Sequence, residues 1–115
     1  MTTRTIAILG LLIASAAGAC AQQPRSIVGI WTQAGAACTG AAGALTIGPM
    51  SLSGEDVACR FSSVKREGNR VTWQGVCDDA EGSARQTVIA TETEGRLTIR
   101  YVPGGNVIDR LVRCR

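Results

Sequence analysis

Apolar and polar residues alternate along most of the chain after its first 25 residues, with a turn signal about every ten residues. Pairs such as Gly48-Pro49 and Glu94-Gly95 interrupt the alternation. This rhythm is typical of a small antiparallel β-sandwich or an up-and-down β-barrel. The segments predicted to be strands are residues 26–32, 44–47, 57–65, 70–77, 84–93, 96–102 and 107–114. The pattern therefore predicts an all-β domain of about seven or eight strands.

A period of two assigns an apolar, inward face to four of these segments. Cysteines fall on three of the four faces, so we expect those cysteines to point into the core. Residues 34–43 are rich in Ala and Gly, and we expect a loop there. The inward sets are Val57, Cys59 and Phe61; Val71, Trp73 and Cys77; Leu97, Ile99 and Tyr101; and Ile108, Val112 and Cys114.

Four of the five cysteines lie in the strand-rich part of the chain, and an even number favours two disulfides. A three-residue turn at residues 67–69 would place Cys59 opposite Cys77. Closing a barrel would bring the last strand, with Cys114, beside the segment that contains Cys38. We therefore predict the pairs Cys59–Cys77 and Cys38–Cys114. The main rival is Cys38–Cys59 with Cys77–Cys114.

Residues 1–21 have the organisation of a bacterial export signal, with Arg4, an apolar run and a tail of small residues. The sequence offers two ends for this signal. Ala19-Cys20-Ala21 is an A-x-A cleavage site that would release residues 22–115 as a single β domain. Residues 17–20 resemble a bacterial lipobox, which implies removal of residues 1–19 and a lipid on Cys20. Either end implies an oxidising compartment, where cysteines pair.

Composition argues against several classes of function. The net charge of +3 is small and scattered, and with only four aromatic residues it does not predict a nucleic-acid surface. Histidine is absent, which removes the commonest general base and metal ligand. The cysteines lack C-x-x-C spacing, and the carboxylate pairs Glu55-Asp56 and Asp78-Asp79 lie at predicted turns, where solvated acids are routine. We expect no catalytic residue, no metal site and no cofactor.

The first predicted strand contains the sequence Gly29-Ile30-Trp31. It resembles the G-x-W signature of lipocalin-like barrels and is similar to the start of the Inh-type bacterial metalloprotease inhibitors. The resemblance implies that Trp31 packs across one barrel end beneath an arginine from the last strand. Arg110, Arg113 and Arg115 are available there. Gly29, Trp31 and Arg113 are accordingly expected to be structural residues.

Together these features favour an exported, non-catalytic binding protein of the bacterial envelope, and the resemblance adds protease inhibition as its form. The expected partner is another envelope or extracellular protein, and the expected location is the periplasm or the medium. One alternative is an accessory lipoprotein of the outer membrane, which would contact the membrane only through a lipid on Cys20. The other alternative is a carrier of a small ligand.

Overall fold

A computed structural model describes residue 2 and residues 26–115 of the chain. Cys20 and the predicted signal peptide, residue 2 apart, lie outside the described residues. In the described part of the chain no helix is both long and apolar enough to cross a membrane. A 3-10 helix, Gly40–Ala42, lies within the predicted loop. The strands are β1 Gly29–Gln33, β2 Leu45–Gly48, β3 Ser51–Ser53, β4 Val57–Glu67, β5 Arg70–Asp79, β6 Gly82–Thr93, β7 Arg96–Val102 and β8 Val107–Arg113.

The eight strands form a closed antiparallel barrel in which each strand pairs with its neighbours in sequence and β1 pairs with β8. The prediction of an all-β fold is confirmed, and of the two architectures considered the structure is the barrel. One strand was not predicted. The strand β3 has only three residues, Ser-Leu-Ser, and its single buried side chain is Leu52. An alternation needs more positions than that to be recognised.

Side chains fill the barrel interior, as expected for eight strands. Phe61 and Trp73 stack within it, with ring centroids 5.0 Å apart and planes 9° from parallel. Gly75 lies opposite Phe61 on β5, and a Cβ atom there would clash with the backbone carbonyl oxygen of Arg60. A residue larger than glycine would therefore force β4 and β5 apart. The largest fully buried side chains are Trp31, Trp73, Ile47, Leu52, Leu97, Ile99, Leu111, Val88 and Cys59.

The structure contains the two predicted disulfides, Cys59–Cys77 and Cys38–Cys114, and the rival pairing is excluded. Cys59 and Cys77 are directly opposed on β4 and β5 and are buried. Cys38 is exposed in the loop after β1, and Cys114 is half-buried just beyond β8. The second disulfide therefore joins two segments on the outside of the barrel.

The predicted turn between β4 and β5 is wrong by one residue. Glu67 pairs with Arg70, so the loop is residues 68–69, with glycine at the first position and a positive φ of 57°. This two-residue form suits a right-handed hairpin twist. A register shift between Phe61 and Ser63 accommodates the additional residue as a bulge. The two departures cancel, so the cysteines lie opposite each other as predicted.

The expectation that Cys114 points into the core is also wrong. The register between β7 and β8 shifts between Leu97 and Ile99, and Arg110 on β8 has a positive φ of 58°. This irregularity rotates the rest of β8, so Leu111 becomes fully buried in place of the predicted Val112. Cys114 lies three residues after Leu111, an odd spacing that puts it on the opposite face of the strand, and it lies outside the buried cluster.

The barrel end that contains Trp31, called the closed end below, is covered by residues 26–28 and by Arg113. The guanidinium carbon of Arg113 lies 4.5 Å from the centroid of the Trp31 ring, a favourable cation–π distance. Arg113 also donates hydrogen bonds to the carbonyl oxygens of Val28 and Ser26. The Trp31 indole N–H donates to the carbonyl of Ile27 at 2.8 Å.

Gly29 allows the close packing at the closed end. Its φ of +146° lies in the region that L side chains rarely adopt, and a Cβ atom there would lie 2.9 Å from Nη1 of Arg113. The sequence G-x-W therefore has a local physical explanation in this barrel. Gly29 leaves room for the guanidinium of Arg113, and Trp31, two residues later, supplies the ring on which that guanidinium packs.

Native-state reduction is expected to distinguish the two disulfides. Cys38 is exposed, whereas Cys59 and Cys77 are 2% and 6% exposed, so a small reductant reaches the outer disulfide first. Brief reduction of the folded protein followed by alkylation and peptide mass spectrometry should label Cys38 and Cys114. Equal labelling of Cys59 and Cys77 at the earliest times would contradict the assignment of that disulfide to the core.

Replacing Trp31 with alanine is expected to lower the free energy of unfolding by about 3–5 kcal/mol, because the side chain is fully buried. Trp31→Phe serves as the control, since it keeps an aromatic ring but loses the indole hydrogen bond to Ile27. It should cost distinctly less in chemical denaturation followed by circular dichroism. A loss below about 1 kcal/mol for Trp31→Ala would mean that this ring does not hold the closed end together.

Candidate functional site

The end of the barrel opposite Trp31, called the open end below, contains a cavity larger than the pocket beside Trp31 and Arg113 at the closed end. Loops of residues 34–44, 54–56, 80–81 and 103–106 connect the strands at this end. The cavity volume is about 470 Å³, within the range of sites that hold small ligands or inserted side chains. Its lining residues are Asp56, Val57, Cys77, Asp79, Gln86, Tyr101, Gly104, Asn106, Val107 and Ile108.

Strand register brings the two carboxylates of the cavity to the same edge. Val57 pairs with Asp79 across β4 and β5, and Asp56 directly precedes Val57. Both acidic side chains are exposed at the rim. One carboxylate oxygen of Asp79 accepts a hydrogen bond from the backbone N–H of Glu81 at 2.8 Å, which fixes it in the turn after β5.

The turn between β7 and β8 forms the opposite wall of the cavity. The backbone N–H of Tyr101 donates to the carbonyl of Asn106 at 2.9 Å, and the N–H of Gly105 donates to the carbonyl of Tyr101 at 2.7 Å. These bonds fix the ends of the turn. Val107 begins β8 and is 52% exposed, so its side chain stands at the mouth of the cavity.

Two buried polar atoms of the cavity lining lack hydrogen-bond partners among the described residues. They are the hydroxyl of Tyr101 and Oε1 of Gln86. The Tyr101 side chain is 9% exposed, and burial raises the pKa of its hydroxyl. Leaving such a group buried and unpaired costs about 1–3 kcal/mol, so a ligand that bonds to it recovers that free energy. The open end is therefore built to gain from binding.

The side chains at the open end can support reversible binding. Apolar contact comes from Val57, Ile108 and the Cys59–Cys77 disulfide, and hydrogen bonding comes from the rim and from Tyr101. Within residues 26–115 and residue 2, no group of three or more His, Cys, Asp or Glu side chains is arranged to hold a metal ion. We therefore interpret the open end as a candidate binding site.

Among the described residues that were singled out from the sequence, all but one lie outside the cavity. Gly29, Trp31 and Arg113 meet at the closed end, and Cys77 alone among the predicted site residues lines the cavity. The other lining residues were not predicted as a site. One signal in the sequence could have indicated the rim of this site. The predicted hairpin register already places Val57 opposite Asp79, and so brings together the turns that contain Asp56 and Asp79.

Comparison with known proteins gives no assignment: no family model, no curated protein and no solved structure matches the chain. The resemblance of Gly29-Ile30-Trp31 to lipocalin-like and Inh-type barrels therefore stays a prediction. The site has to be interpreted from its own geometry.

Tyr101 is the only tyrosine in the chain, so its ionisation can be followed directly by ultraviolet absorbance. Because burial raises its pKa in the folded state, we expect its midpoint above the value of about 10 found in the unfolded chain. The folded protein holds this proton more tightly than the unfolded chain does. The free energy of unfolding is therefore unaffected by this ionisation below about pH 10, and it falls as the pH rises through the folded midpoint. Tyr101→Phe is the control for the absorbance signal. A native midpoint at or below the denatured one would contradict the burial of this hydroxyl.

Proposed function

We propose that this chain is an exported, non-catalytic binding protein whose open barrel end engages another protein of the bacterial envelope. The observation that carries this proposal is the cavity among the loops of the open end, with the unpaired hydroxyl of Tyr101 in its wall. Unpaired polar groups beside apolar walls are the composition expected of a recognition site. Export is supported by the sequence of residues 1–21 and by two disulfides.

The closed end supports this assignment of roles. Arg113 packs on the Trp31 ring there and donates to the carbonyls of Ser26 and Val28, and the Trp31 indole donates to the carbonyl of Ile27. A rigid closed end lets the barrel hold its opposite loops in fixed positions. Binding residues placed on loops above a rigid scaffold are a common arrangement in proteins. Protease inhibition, implied by the G-x-W resemblance, is the first activity to assay.

A carrier of a small ligand is the second candidate, and the cavity volume of about 470 Å³ favours it. A carrier would hold its ligand after purification. Native mass spectrometry of the exported protein would then show a bound mass. A variant that fills the mouth of the cavity would lose that mass.

The predicted signal is compatible with two mature forms of the protein, one free and one lipid-anchored, and both suit a binding role. Cleavage after Ala21 gives a free protein in the periplasm or the medium. A lipid on Cys20 gives an accessory lipoprotein of the outer membrane, with residues 22–25 as a tether. The mass of the mature N-terminus separates the two.

The proposal predicts that filling the mouth of the open end abolishes capture of the partner. The test variant is Val107→Trp, and the matched control is Val64→Trp, because the two valines are 52% and 50% exposed and only Val107 lines the cavity. Exported, oxidised protein is immobilised and exposed to periplasmic extract and spent medium. We expect a protein that is retained by the wild type and by Val64→Trp and is lost with Val107→Trp.

Two results would contradict the proposal. Equal retention of the partner by all three proteins would place its binding surface away from the open end. Retention of no protein, together with a small molecule that is bound by the wild type and lost with Val107→Trp, would favour the carrier. Circular dichroism of each variant confirms that the comparison is made between folded proteins.

A further inference from the structure

The lining of the open end has a charge that differs from that of the whole chain. The chain has 12 Lys and Arg against 9 Asp and Glu. Among the described residues that line the cavity, two are acidic and none is Lys or Arg. Every polar side chain in the lining has an oxygen that can accept a hydrogen bond: Asp56, Asp79, Gln86, Tyr101 and Asn106.

From this lining we infer that the open end takes a positively charged group carried on an apolar stem. A Lys or Arg side chain of the partner protein has this chemistry, and so does a free organic amine. The inference rests on the proposed function, since it names the group that the partner presents to the open end.

The walls of the cavity fit the two parts of such a group. Apolar surface in the cavity lining comes from Val57 and Ile108, which are half-buried, and from Cys77, which is buried. The carboxylates of Asp56 and Asp79 are exposed at the rim, where a cation can keep part of its hydration. A long basic side chain that lies along the mouth of the cavity can place its stem on this apolar surface and its charge beside the rim carboxylates.

Tyr101 supplies a second, independent observation. Its side chain is 9% exposed, it lines the same cavity, and its hydroxyl has no hydrogen-bond partner among the described residues. Oε1 of Gln86 is buried and unpaired in the same wall. An ammonium or guanidinium group offers several N–H donors, so it can bond to one of these oxygens while it faces a rim carboxylate.

Two other ligand classes suit the open end less well. An anion would meet Asp56 and Asp79 with no cation in the lining to offset their charge. A calcium ion needs about six to eight oxygen ligands, and the described residues offer no cluster of three metal-binding side chains. An organic cation matches the acceptors and the apolar walls together.

The test uses three probes of equal length that differ in charge: n-hexylammonium, n-hexanol and hexanoate. Each is titrated at low ionic strength into the exported, ¹⁵N-labelled protein, and amide shifts are followed by NMR. We expect n-hexylammonium to shift the amides of Tyr101, Asn106 and Ile108 and to bind at least about five-fold more tightly than the other two probes.

Variants of Asp56 and Asp79 test whether the rim carboxylates cause the preference for the cationic probe. Asp56→Asn combined with Asp79→Asn should weaken n-hexylammonium by about five-fold or more and leave n-hexanol unchanged. Glu67→Gln combined with Glu94→Gln is the matched control, because it removes two negative charges at hairpin turns of the closed end. This control should bind all three probes as the wild type does.

A titration with a lysine peptide distinguishes a side chain of a protein partner from a free amine as the source of the cation. A peptide with the sequence Gly-Ser-Lys-Ser-Gly, acetylated and amidated, is titrated in the same way. Tighter binding of this peptide than of n-hexylammonium supports a side chain of a protein partner. Weaker binding supports a free amine. Both results keep the inferred chemistry of the open end.

The inference is overturned if n-hexanol or hexanoate binds as tightly as n-hexylammonium, or if no probe shifts the amides of the open end. The capture experiment with Val107→Trp distinguishes failure of this inference from failure of the proposed function. If Val107→Trp still abolishes partner capture, the open end binds a partner through a group that is not cationic. If Val107→Trp leaves capture intact, the proposed function itself fails.

Discussion

Closure of the barrel between β1 and β8 is the constraint on which the rest of the structure depends. Every other strand pair joins neighbours in sequence, whereas this seam joins the two ends of the described chain. It is short, with three paired positions running from Trp31 opposite Arg113 to Gln33 opposite Leu111. An open sheet would expose two unpaired edges and the apolar face of the core. Closure removes both.

Two interactions from outside the strand ladder support this short seam. Arg113 lies over Trp31 and bonds to the segment before β1, and the Cys38–Cys114 disulfide spans a sequence separation of 76 residues. In the chain-entropy model a disulfide over so long a loop contributes about 4–5 kcal/mol, against about 3 for Cys59–Cys77. A small domain with a thin core gains most from a staple of this kind. The seam is held by contacts at the closed end and by the disulfide from Cys114 to the loop of residues 34–44, while other loops line the cavity at the open end.

The sequence was sufficient for the all-β class and for seven of the eight strands, but not for the choice of a barrel over a sandwich or for the site, and the reasons are physical. Alternation along strands reports which side chains are buried, so the barrel strands and Cys59–Cys77 could be predicted. A bulge adds one residue without changing composition, so the irregularities near Ser63 and Arg110 could not be. Predicting the site at the open end also requires knowing which separate elements the fold brings together. Asp56, Gln86 and Tyr101 lie on separate elements, and only the closed barrel brings them to one cavity.

Native-state hydrogen exchange tests the role of the seam most directly. The amide of Cys114 donates to the carbonyl of Ile30 at 2.8 Å, beside the last paired position of β1 and β8. If closure is the constraint on the whole fold, this amide exchanges only through global unfolding, with the free energy measured by denaturation. The amide of Gly105, in the loop at the open end, should exchange through smaller openings. Exchange of the Cys114 amide with a free energy well below that of global unfolding would show that the seam opens by itself, and would contradict this account.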